Sequence, residues 1–106
     1  MTLEDLTRFP VLQTASIAET IHNDPDTLIY VTKCLFRCYE GNYGIVPPED
    51  TEANNRDLES GYGHILARYK KAQKLEGDIY INIHFDADHL DDVDYTNTLI
   101  MYCNEY

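Results

Sequence analysis

The sequence predicts an α+β protein: N-terminal helices packed on one face of a small antiparallel sheet of three to four strands. Three observations carry this. Apolar residues recur at helical spacing between Thr27 and Tyr39. Between Asp78 and Phe85 they alternate, placing Ile79, Ile81, Ile83 and Phe85 on one face and Tyr80, Asn82 and His84 on the other. The helical signals also precede the strand signals instead of interleaving with them, which argues against a parallel α/β sheet. At 106 residues the chain has the length of one domain, residues 1–106, with no internal repeat, linker or low-complexity tract.

Each element follows from local chemistry. Residues 3–9 support one helical turn before Pro10, and Val11 to Thr14 suits a short strand. Thr14 or Ser16 can cap a helix through Ile17, Ala18 and Ile21 that ends near Asn23. Asp24-Pro25-Asp26 reads as a turn, or as a helix start with proline in first position. From Thr27 to Tyr39 two signals compete. Leu28, Val31, Leu35 and Cys38 have helical spacing, whereas Ile29, Tyr30, Val31 and Thr32 have strand propensity. Helix is preferred, because the run is long for a strand and holds no breaker.

Glu40 to Gly44 is rich in turn residues. Pro47-Pro48-Glu49-Asp50 opens a further helix, its acids complementing the helix dipole, which stops at Gly61. His64 to Tyr69 is a strand, and Lys70 to Gly77 a charged connection. Asp86 to Asp94 is an acidic loop, and Thr98 to Cys103 a last strand pairing with the alternating one.

Composition limits the function classes. Hydrophobic residues at 43% and charged residues at 25% are those of a folded chain, not a disordered one. The formal net charge of -11 disfavours direct contact with nucleic acid or an anionic membrane, and favours basic partners. A solvated acidic surface that only maintains solubility is the competing reading. No apolar run approaches the roughly 20 residues of a membrane span. The start of the chain lacks the basic and apolar regions of a secretory signal. The odd number of cysteines, Cys34, Cys38 and Cys103, suits free thiols in a reducing compartment, so a cytoplasmic protein is expected.

Motifs for catalysis are weak. His84-Phe85-Asp86-Ala87-Asp88-His89 resembles the HxHxDH metal motif of metallo-β-lactamase-like hydrolases, and imidazoles with carboxylates suit a divalent cation. The family's second histidine is Asp86 here, and the remaining ligands of that fold need a much longer chain. Asp86, Asp88, Asp91, Asp92 and Asp94 also suggest a calcium loop, but the turn glycine and the terminal glutamate of an EF-hand are missing. Cys34 and Cys38 share a helix face and read as buried small side chains. No nucleophile–base–orienter set and no phosphate-cradling glycine loop is present. The expectation is therefore a protein that is not an enzyme and uses neither metal nor cofactor.

Charge is more informative. Arg68, Lys70, Lys71 and Lys74 are half of all basic residues. Acids gather on the third long helix at Glu49, Asp50, Glu52, Asp57 and Glu59, and in the late loop at Asp86, Asp88, Asp91, Asp92 and Asp94. Carboxylates held on a rigid helix and loop can imitate a line of phosphates and occupy a groove built from Lys and Arg.

Several segments then carry a family resemblance. They are Gly41 to Asn54, Asp57-Leu58, Gly61, His64-Ile65-Leu66-Ala67-Arg68-Tyr69, Asp78 to Ile83, Thr96-Asn97-Thr98-Leu99 and the terminal Glu105-Tyr106. From Arg37 onward this order resembles small plasmid- and phage-borne bacterial proteins with the pattern GxWGxxxxEDxxxNxxxLxxGxRLLxxY, then ITEADRxxTT and EY. The family's tryptophan is Tyr43 here, its arginine before the strand is His64, and the ITEADR segment has become acidic. The resemblance implies a mobile-element protein in a bacterial cytoplasm. With the charge, it implies an inhibitor of a host defence nuclease, an anti-CRISPR protein acting on the basic channel of a Cas9-type effector. A small regulatory or interaction module is the alternative. It would use Tyr80, Asn82 and His84, with Tyr102, as an exposed sheet face. A metal-dependent hydrolase using His84, Asp86, Asp88 and His89 is the third.

Overall fold

The structure is a computed structural model describing residues 1–106. Four helices, α1 (Leu3–Leu6), α2 (Ala15–Asn23), α3 (Pro25–Tyr39) and α4 (Pro48–Ser60), accompany four strands, β1 (Val11–Gln13), β2 (Tyr62–Tyr69), β3 (Ile79–Asp86) and β4 (Asn97–Tyr102). The sheet runs β1-β4-β3-β2. The α+β class is as expected, with one difference: β1 lies parallel to β4, so the sheet is mixed. The reason is the route of the chain. Helices and two strands separate Val11 from its partner Thr98, so no hairpin dictates the direction of pairing.

The helices start where side chains can satisfy free N–H groups. The Thr14 hydroxyl accepts from Ile17 N–H, and the Asp24 carboxylate accepts from Asp26 N–H with Pro25 following it. The buried stripe of α3 is Thr27, Val31, Cys34 and Cys38, offset from the one the sequence suggested. Leu28 is exposed. Thr27 takes a core position because its hydroxyl donates to the Asp24 carboxylate at 2.8 Å, so burial leaves no polar group unpaired.

Register places Ile65, Ile83 and Thr98 in one row across the sheet, and Ala67, Ile81 and Ile100 in the next. This face is the core. Ile79, Ile81 and Ile83 are fully buried there, each contributing roughly 1.5–3 kcal/mol. Tyr102 belongs to this face as well, opposite Ile79, and its hydroxyl meets that of Thr20 at 2.8 Å. The expectation that Tyr102 joins Tyr80 on the outer face is thus corrected. Met101 is the residue beside Tyr80, because a strand beginning at Asn97 turns odd and even positions to opposite faces.

Candidate partner-binding surface

The ten acidic residues singled out in the sequence occupy α4 and the β3–β4 loop, and they have different duties. Glu49 and Asp50 lie in the first turn of α4, where Pro47 offers no side-chain cap. Negative charge is favourable there. Glu52 and Glu59 are exposed along the same helix. Asp57 is turned toward the sheet, and its carboxylate accepts from His64 N–H at 3.2 Å. Four neighbouring contacts come from Asn54, which is almost fully buried, and from the loop before α4. Asn54 accepts from Leu66 N–H and donates to Leu66 C=O, both at 3.0 Å. Tyr43 C=O accepts from Arg68 N–H at 3.0 Å, and Ile45 N–H donates to Arg68 C=O at 2.9 Å. Gly44, at φ +73, lets the loop come this close, since a Cβ there would stand 2.0 Å from the Arg68 oxygen.

The acidic loop is braced from within. Thr96 is fully buried. Its hydroxyl donates to His89 C=O at 2.9 Å and accepts from Asp86 N–H at 3.3 Å, tying together the two ends of the loop. Asp86 accepts from Asp88 N–H and faces His89 Nδ1 at 3.1 Å, and Asp92 accepts from Asp94 N–H at 3.0 Å. The His89 ring stacks on Tyr95 with centroids 4.4 Å apart. Asp86 and Asp92 therefore shape the loop, while Asp88, Asp91 and Asp94 are exposed on it.

The two acidic regions meet at one corner. Ala87 N–H donates to Gly61 C=O at 2.9 Å, joining the loop to the end of α4. The neighbouring Asp88 carboxylate, and secondarily Asp86, raise the Tyr62 phenol above its ordinary range. Glu59, Asp57, Asp86 and Asp88 thus share that corner. Glu49 and Asp50 stand at the far end of α4, roughly 15 Å away along the helix. Asp91 leans instead toward Met1, Asp5, Arg8 and Phe9, with which it lines a hollow of about 310 Å³.

Sequence reasoning missed the apolar members of this surface. Leu90, Val93 and Tyr95 are each about half exposed among the loop carboxylates. Their signal was available, since apolar residues in a loop that cannot reach the core are free to serve an interface. Of the basic group, Arg68 is paired with Asp78 at 2.9 Å and lies over the Tyr80 ring. Lys70, Lys71 and Lys74 are exposed. No Lys or Arg follows Lys74.

The proposed metal quartet does not converge, and no three His, Cys, Asp or Glu side chains form a cation cage. His89 is engaged with Asp86 out on the loop, whereas His84 lies on the outer sheet face opposite His64. Partial desolvation against the sheet face, and secondarily His64, lower the pKa of His84. Cys34 and Cys38 are buried as read, and burial pushes the Cys38 thiol up to about 12, which makes it unreactive. No helix is long and apolar enough to cross a membrane. Comparison with known proteins gives no match: no family model, curated sequence or solved structure aligns with the chain.

Proposed function

We propose that the protein acts by stoichiometric binding, presenting the braced β3–β4 loop and the adjoining end of α4 to a basic, nucleic-acid-binding protein. The observation that carries this reading is the loop itself: exposed Asp88, Asp91 and Asp94 are interleaved along the chain with exposed Leu90, Val93 and Tyr95, on a frame fixed by buried Thr96. Apolar anchors inside a charged rim are the usual anatomy of a specific interface. A rim of one sign selects a Lys/Arg-lined partner and steers its approach. With the resemblance to mobile-element proteins, the partner is a host defence nuclease, and a Cas9-type effector has such a channel. The protein would work without catalysis or cofactor, as an anti-CRISPR inhibitor.

A plasmid-interference assay tests the biological claim, with protection of a targeted plasmid as the expected result. The mechanism is tested by Asp88→Lys, Asp91→Lys and Asp94→Lys together, which spare the loop-shaping Asp86 and Asp92. Affinity for the effector should fall by roughly tenfold or more, and wild-type affinity should fall steeply with salt. Full inhibition by the triple variant would remove the acidic loop from the mechanism.

A second reading has its own observation. Asn82 is 4% exposed on the outer sheet face, and its side-chain oxygen has no hydrogen-bond partner. An interaction module of a mobile element that docks a partner on this face would supply that donor. A salt-insensitive complex that survives the triple loop variant would favour it.

A further inference from the structure

The outer sheet face places two imidazoles together that lie far apart in the chain. His64 on β2 is the register partner of His84 on β3. Because the N–H of His64 turns outward to Asp57, the two residues form a non-hydrogen-bonded pair, the position where cross-strand side chains stand closest. Their ring centroids are 5.7 Å apart, with the planes inclined by 37°. One ion held by a nitrogen of each ring, with bonds of about 2.0–2.1 Å and a near-tetrahedral angle, requires centroids roughly 5–6 Å apart. Stacked rings, such as His89 on Tyr95 at 4.4 Å and 23°, are too close and too parallel for this.

The surroundings favour a cation. Tyr62 and Asp86 form the next pair on the same face, and Asp88 stands beside Tyr62. Asn97 faces His84 from β4, and its amide nitrogen is already used on Val93 C=O, so its oxygen is the group left to bind. His84 is exposed and His64 half-buried, so the pair is open to solvent on a backbone that Asp57 fixes.

We propose that His64 and His84 chelate one divalent transition-metal ion of the imidazole-preferring class (Zn²⁺, Ni²⁺ or Cu²⁺), with water completing the shell. The chemistry of the donors excludes Ca²⁺ and Mg²⁺, which prefer oxygen ligands. The site is exchangeable, because neither ring nitrogen is backed by the carboxylate that strengthens resident sites. It does not use His89, which is engaged with Asp86.

The test is calorimetric titration of Zn²⁺, Ni²⁺ and Cu²⁺ into the tag-free, EDTA-stripped chain, with thermal unfolding as a second readout. One ion per chain is expected, with a raised unfolding midpoint and Cu²⁺ tightest by the usual order of affinities. His84→Gln changes an exposed side chain and keeps the fold. It should weaken binding at least tenfold, as His64→Gln should. His22→Gln and His89→Gln should bind like wild type, and Ca²⁺ should give no shift. The proposal is overturned if no transition metal binds, if binding survives His84→Gln, or if it follows His89→Gln or Ca²⁺ instead.

Discussion

The two edges of the sheet are finished in opposite ways. Along β2, other parts of the chain reach the outward backbone groups: Asp57 takes His64 N–H, Asn54 takes both groups of Leu66, and Tyr43 with Ile45 takes both groups of Arg68. Along β1 the bonds from Thr98 N–H to Pro10 C=O and from Thr14 N–H to Ile100 C=O set the phase of pairing. Val11 and Gln13 then turn their backbone groups outward, and all three strand residues are exposed. Length explains the contrast. An eight-residue edge is a template for adding foreign strands and needs covering, whereas a three-residue edge beginning after Pro10 is too short to be one. The difference teaches that a polar helix face can be spent on backbone, not on solvent or a partner.

The largest effect on this contrast is expected from Asn54→Ala. Asn54 is 3% exposed, so no water can replace its amide. Its loss strands a donor and an acceptor on Leu66, and about 2–4 kcal/mol of unfolding free energy should disappear in urea denaturation. Glu52→Ala, an exposed change on the same helix, should stay within about 0.5 kcal/mol. Equal effects from the two would mean that the β2 edge is not held by this side chain.

This arrangement was only half legible in the sequence. The β3 alternation was readable because a two-residue period is local, and the helix starts were readable because Thr14, Asp24 and Pro25 act on adjacent N–H groups. Asn54 and Asp57 were opaque, since on a helix they look like any solvated polar residue until the strand they cover is placed beside them. The acidic surface was legible as charge but not as division of labour. Nothing local says that Asp86 and Asp92 shape turns while Asp88, Asp91 and Asp94 are free, or that Thr96 is the buried brace. The His64–His84 pair was hidden for the same reason: His84 was read with its sequence neighbours, and its spatial neighbour lies on another strand.

A middle effect is expected at Asp57, and it separates structure from charge. Asp57→Ala removes the acceptor for His64 N–H at a half-exposed position where water can partly substitute. A loss of about 1 kcal/mol should follow. Asp57→Asn keeps an acceptor and removes the charge, so it should restore most of that stability. If both variants lose the same stability, the charge and not the hydrogen bond matters at this edge. If Asp57→Asn also weakens effector binding, the carboxylate contributes to the partner surface as well.

The smallest effect belongs to the open edge. Leu12 is 43% exposed on β1, and Leu12→Lys places a charge where edge strands commonly carry one. Unfolding free energy should change by less than about 0.5 kcal/mol, and equally at two protein concentrations tenfold apart. A loss above about 1 kcal/mol that shrinks on dilution would mean that a second copy covers β1 in solution. The edges would then be alike in being closed, β2 by its own helix and β1 by its neighbour, and shortness alone would no longer account for the bare strand.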